Sequence, residues 1–240
     1  MVAPGRSPQG DKSAPGALGG TGKLGARRQL SAEVEEHVRE MILTGQLRPG
    51  ELLNAERLAD ELGVSQTPVR EGLQALRSQG FLTLEPYRGF RVVGLRRADL
   101  KDIFAVQAYL SAELARRATA RMSSAQIDEL ARIQDELTAA AERDDGDTVQ
   151  ELHFAFNRMI NHAADAPKLA LLLAIALRHV PRNFFRAHHV YPAAERRTEI
   201  VDAIRRRDAD AAALAMRRYI EHIGEVLEAF LDSGGALTSG

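Results

Sequence analysis

The stretch Val64-Ser65-Gln66-Thr67-Pro68-Val69-Arg70-Glu71-Gly72-Leu73 decides the fold of this chain. Ahead of it stands Leu52-Leu53-Asn54-Ala55-Glu56-Arg57-Leu58-Ala59-Asp60-Glu61-Leu62-Gly63, in which Asn54 can cap a short helix and Gly63 can end it. Behind it come Phe81-Leu82-Thr83-Leu84 and Phe90-Arg91-Val92-Val93, two β-prone runs around the turn Pro86-Tyr87-Arg88-Gly89. Two short helices separated by a glycine turn and followed by a hairpin read as a helix-turn-helix with a two-stranded wing. Leu58, Leu62, Val64, Val69, Leu73 and Leu76 take its apolar positions. Upstream, Ser31 opens a periodic segment with Val34, Val38, Met41 and Ile42 on one face, which predicts a first helix ending near Thr44.

Composition bounds the rest. The 240 residues are 45% hydrophobic and include no cysteine, which excludes disulfides, thiol nucleophiles and thiolate metal sites and suits a reducing, cytoplasmic setting. No apolar run is long enough to cross a bilayer, so no membrane role is expected. Residues 1–97 carry 14 Lys/Arg against 11 Asp/Glu and the remainder 18 against 22, a slightly basic front and acidic rear. Residues 1–28 are dense in Gly, Pro, Ser and Ala and read as a disordered tail, with Arg27 and Arg28 as candidates for a basic arm on DNA. Within the tail, Ala17-Leu18-Gly19-Gly20-Thr21-Gly22-Lys23-Leu24 lacks both the first glycine and the final Ser/Thr of a phosphate loop, so nucleotide binding is rejected.

A winged helix-turn-helix is expected over 29–95 and an all-helical domain over 99–232, with a flexible C-terminus over 233–240. The fold class is therefore mainly α. Helices are predicted near 99–121, 123–143, 146–163, 166–189, 192–207 and 209–232, with Pro181 kinking the fourth. Breakers stand at Ser123-Ser124, Asp144-Asp145-Gly146, Ala166-Pro167, Tyr191-Pro192 and Asp208. Such a domain is large enough to enclose a cavity.

These pieces, in this order, resemble the GntR superfamily of bacterial transcription regulators, in the FadR-like branch with a C-terminal helical ligand-binding (FCD-type) domain. Ser65-Gln66-Thr67-Pro68-Val69-Arg70-Glu71-Gly72-Leu73 is close to the family's Ser-Arg-Thr-Pro-Val-Arg-Glu-Ala-Leu. The resemblance implies a homodimer that binds a double-stranded operator, with Arg57, Arg88 and Gly89 at positions that touch DNA, Gly89 through close backbone approach. Ser65 and Thr67 suit phosphate or base contact at a helix N-terminus, and Arg70 suits a guanine edge. Gln66 stands where the family usually has arginine; glutamine pairs with adenine, so an altered half-site is expected.

In this branch the helical domain often holds a metal with an Asp and three His. The corresponding positions are His153, Asn157, Arg197 and Tyr219, a set in which a fixed positive charge replaces a ligand. The family's metal site is therefore expected to be lost, so no cofactor is expected, and the cavity is expected to suit a small carboxylate-type effector, with Arg178 and Arg182 as further anion contacts. Gln107 and Ser111 depart from the family too, at the cavity wall or the dimer surface. His188, His189 and His222 are read as surface residues rather than metal ligands, and Arg205-Arg206-Arg207 and Arg217-Arg218 as solvated faces. No catalytic elbow, zinc pair or dinucleotide fingerprint is present, so an enzyme is not expected. The reading is a ligand-responsive repressor in the cytoplasm, associated with the nucleoid. Its alternatives are a constitutive DNA-binding dimer whose collapsed pocket leaves Arg197 paired with Glu199 or Asp202, and a metal-dependent member of the same family.

Overall fold

The computed structural model describes residues 21–182, 184–187, 193–234 and 236–238. Two hydrophobic cores organise them, one for each expected domain.

The first core lies under the helix-turn-helix. Helix α1 (Thr21–Leu43) lays Val34, Val38 and Ile42 against Val69, Leu73 and Leu76 of α3 (Gln66–Ser78). Between them α2 (Ala55–Leu62) starts at Asn54, whose Oδ1 accepts from Glu56 N at 2.8 Å and Arg57 N at 3.2 Å, and stops at Gly63 in the left-handed region (φ 66°). Leu62 and Val64 are only partly buried at the margin of this core. Gly72 lets the α1 backbone pass close by: a Cβ there would stand 3.0 Å from the Ser31 carbonyl oxygen and 3.1 Å from Glu35 N. The wing is β2 (Leu82–Glu85) paired antiparallel with β3 (Gly89–Val92), and β1 (Leu52–Leu53) adds a third strand on the far side of β3.

The linker strand β4 (Leu95–Arg96) leads into α4 (Arg97–Arg121), which runs against the equally long α10 (Ala209–Ser233). Around this pair stand α5 (Ser124–Glu142), α6 (Gly146–Ala163), α7 (Pro167–Ala176) and α9 (Ala193–Arg205). Local chemistry sets several of the boundaries. Ser123 and Gln126 form a capping box, the Asp145 and Asp208 side chains accept from backbone N–H groups three residues on, and Pro167 takes the first position of α7.

Five expectations need correction. Helix α1 begins at Thr21, so the tail reading fails for residues 21–28, while residues 1–20 lie outside the described residues. Arg27 is no free arm: it forms an ion pair with Glu71 of α3, whose other carboxylate oxygen accepts from Ser31 Oγ at 2.7 Å. These bonds hold Glu71 below the usual carboxylate range, the Arg27 bond foremost.

The fourth helix of the second domain does not kink but ends. After Ala176 come a 3-10 turn (Leu177–His179), extended Val180 and Pro181, before the short α8 (Phe184–Ala187). The residue before a proline disfavours α geometry and the proline offers no N–H, so the helix stops short of Pro181.

Nor is the C-terminus free. Ala236 is buried, and β5 (Leu237–Thr238) pairs in parallel with β4, strapping the end of the chain to the interdomain linker. Arg207 is not simply solvated either, since its Nη1 donates to the carbonyls of Thr119 at 3.0 Å and Met122 at 2.5 Å and closes the end of α4.

Candidate functional site

One site is a surface. Ser65, Gln66 and Thr67 are exposed at the start of α3, and Ser65 holds the cap position without a side-chain cap bond, so its hydroxyl is available to another acceptor or donor. One turn further, exposed Arg70 and Gln74 form one wall of a cleft of about 490 Å³ whose other wall is the wing. Arg70 has no ion-pair partner among the described residues, whereas Arg88 lies 3.6 Å from Glu85. Arg57 is 83% exposed, with its Nε donating to Glu61 at 2.8 Å, a bond that raises its pKa.

Sequence reasoning missed Tyr87, which crowns the wing fully exposed and in the left-handed region (φ 63°). An aromatic between Pro86 and Arg88 in a turn was the available signal. Gly89 also meets a close approach within the protein. At φ 110° a Cβ there would stand 2.5 Å from the Leu53 carbonyl oxygen, so the passage of β1 requires a glycine.

The second site is a cavity of about 290 Å³ lined mainly by the helical domain, with Glu36 and Arg39 of α1 at its edge. His153, Asn157, Arg197 and Tyr219 do come together from α6, α9 and α10. Arg197 is buried and donates through Nε to Gln134 Oε1 at 3.0 Å and through Nη1 to Tyr219 Oη at 3.1 Å, with the guanidinium 5.5 Å from the centre of the Tyr219 ring. Among the described residues no carboxylate forms an ion pair with Arg197, neither Glu199 nor Asp202 included. The Tyr219 hydroxyl is in turn 3.1 Å from His153 Nδ1.

Arginine can only donate, so the tyrosyl oxygen accepts from it, and its second lone pair or its hydroxyl hydrogen serves the bond to His153 Nδ1. Burial, reinforced by the Arg197 charge, pushes the imidazole pKa well below its ordinary value and keeps the ring neutral. Phe185, delivered by α8 after the break at Pro181, stacks on the imidazole at 3.6 Å between centroids. Asn157 Nδ2 donates to the His153 carbonyl at 2.9 Å and lies 3.3 Å from Nε2. His153 and Asn157 both line the cavity, and the Asn157 amide can donate to an acceptor oxygen there. A divalent cation fits this set poorly, because a fixed guanidinium charge occupies one position and the tyrosyl oxygen is engaged with it. Among the described residues no three His, Cys, Asp or Glu gather as a metal group.

Arg197 and Tyr219 stand behind the floor rather than in the cavity, which is lined by His153, Asn157, Gln107 and Ser111 among polar groups. The departures at Gln107 and Ser111 thus belong to the cavity wall. Arg178 and Arg182 reach the rim as expected, but both are already paired with α1 of the first domain. His188 and His189 lie outside the described residues, and His222 is 3.4 Å from Glu225.

A winged helix-turn-helix joined to a helical domain with a cavity beside it defines a DNA-binding regulator with a ligand-sensing module. The model for bacterial regulatory proteins of the gntR family matches residues 30–92 and the FCD domain model matches residues 102–222, so the chain belongs to the FCD-bearing gntR family of DNA-binding transcription regulators. It is similar to the HTH-type transcriptional regulator McbR of Escherichia coli K12, 29% identical over 64% of this chain and 69% of the relative. It is also similar to the HTH-type transcriptional repressor RspR of the same organism, 24% identical over 85% of this chain and 91% of the relative. The solved structure of E. coli McbR/YncC shares the fold, with a TM-score of 0.63 at 22% identity over 83% of this chain and 97% of that one. No helix among the described residues is long and apolar enough to cross a membrane.

Proposed function

We propose that the protein is a metabolite-responsive repressor, acting in the cytoplasm on the nucleoid, that reads a palindromic operator as a homodimer and responds to a small organic carboxylate without a metal. The observation that carries the effector reading is the Arg197–Tyr219–His153 chain, which links a buried positive charge by hydrogen bonds to a residue of the cavity lining. A carboxylate oxygen is the acceptor such a lining favours.

On the DNA face, Arg70 reads a guanine edge, Gln66 an adenine, and Ser65, Thr67, Arg57 and Arg88 hold the phosphate backbone. Exposed Tyr87 at the wing tip would join them. Support for a dimer comes from Leu171, Leu172 and Ile175 on α7 beside Val106 and Tyr109 on α4, large apolar side chains left exposed on neighbouring helices. An isologous interface would set the half-site spacing.

Calorimetry with small organic acids and, separately, with Zn²⁺ and Ni²⁺ tests the effector reading. One-to-one binding of an acid that Arg197→Ala abolishes is expected. Tight one-to-one metal binding that Arg197→Ala leaves intact overturns it.

A further inference from the structure

The rim of the cavity is built by both domains. Helix α1 contributes Glu36 and Arg39, and the turn after α7 contributes Arg178 and Arg182. Across this seam Arg178 Nη1 donates to Glu35 Oε1 at 3.2 Å, Arg182 Nη1 to Glu36 Oε1 at 2.6 Å and Arg182 N to Glu40 Oε2 at 2.9 Å. Glu35 is the hub. Besides Arg178 it accepts from Arg39 at 2.5 Å and from Gln79 Nε2 at 2.9 Å, and Gln79 is the residue on which the recognition helix α3 ends. Arg39 Nε is buried in the cavity wall without an acceptor.

Three arginines therefore face three glutamates, and the seam is neutral as it stands. A dianion entering next to it leaves a surplus of negative charge beside Glu35, which with Arg39 is the least exposed part of the seam and where unpaired charge costs most. Relief comes when the glutamates turn to solvent and leave the guanidinium groups to the ligand, whose planar carboxylates match them. We propose that the effector is an organic dianion that takes Arg178 and Arg182 away from Glu35 and Glu36, so that binding undoes the ion pairs docking α1, and with it the recognition helix, onto the helical domain. The proposal rests on the organic-acid reading of the cavity. Coupling is then direct, because the groups that bind the ligand are the groups that hold the DNA-binding domain in place.

Hydrogen exchange and calorimetry on the full chain test it, with succinate and citrate at millimolar concentration as probes. Either anion should protect the cavity helices while speeding exchange of the α1 amides from Val34 to Leu43. The Glu35→Gln/Glu36→Gln variant, which removes the competing carboxylates and leaves every arginine, should bind the same anion about tenfold tighter, as expected from the loss of two partly exposed ion pairs. It should also show fast α1 exchange without ligand. Protection of the cavity with unchanged α1 exchange and unchanged affinity in the variant overturns the ion exchange while sparing the organic-acid reading. Binding of neither anion to either protein overturns both.

Discussion

Tyr219→Phe keeps the ring and removes one oxygen, and the structure sets what that oxygen does. It accepts from Arg197 Nη1 at 3.1 Å and is hydrogen-bonded to His153 Nδ1 at 3.1 Å, with all three residues buried. The phenylalanine leaves an arginine donor and a histidine ring nitrogen without these partners in the buried interior. Each orphaned group costs about 1–3 kcal/mol, and the charged donor lies toward the upper end. Arg197 retains its bond to Gln134, so the loss is expected to be about 2–5 kcal/mol, a large share of the roughly 5–15 kcal/mol that holds a typical domain together. Urea unfolding at neutral pH, followed by helical circular dichroism, measures it, with Tyr87→Phe on a fully exposed position as the control. A change within about 0.5 kcal/mol of that control would refute the linked hydrogen bonds of Arg197, Tyr219 and His153.

Three other outcomes follow from the geometry. Gly89→Ala places a methyl group 2.5 Å from the Leu53 carbonyl at a φ of 110°, so it should cost about 2–4 kcal/mol and pull β1 from β3, seen as faster amide exchange in both strands. His153 and His179 both have pKa values lowered in the fold, chiefly by burial, so protonation favours the unfolded chain. Stability should be flat above about pH 6.5 and fall as pH drops below it, by at most about 1.4 kcal/mol per pH unit for each histidine, and His153→Gln should reduce that slope. Gln66→Arg should change the base preferred in duplexes selected from random DNA from adenine to guanine at one position per half-site.

The DNA-binding fold was legible because its signals are local. Asn54, Gly63 and the Pro86–Gly89 turn each act within three or four residues of themselves, and each marks the boundary expected of it. The four altered ligand positions were also legible, through the spacing of a resembling family, although all are drawn from separated helices or turns of them. What stayed hidden is long-range. The pairing of Leu237–Thr238 with Leu95–Arg96, the glutamates of α1 that occupy Arg178 and Arg182, and the carbonyl of Leu53 that requires Gly89 join residues far apart in sequence. Pro181 reads as a kink because the neighbouring breakers stand only at Ala166-Pro167 and Tyr191-Pro192. In the fold, α7 ends at Ala176, five residues before that proline, and the segment after it serves the cavity through Phe185.

The most direct test is the affinity of the full chain for an operator selected from random duplexes, measured by fluorescence anisotropy beside an unrelated duplex of equal length and at one salt concentration. Arg70→Ala should weaken binding to the selected operator by about 1–3 kcal/mol, roughly five- to 150-fold, and change binding to the unrelated duplex by only a few-fold. Equal affinities of wild type and variant for the operator, or an equal loss on both duplexes, would contradict the account of α3 as the helix that reads sequence.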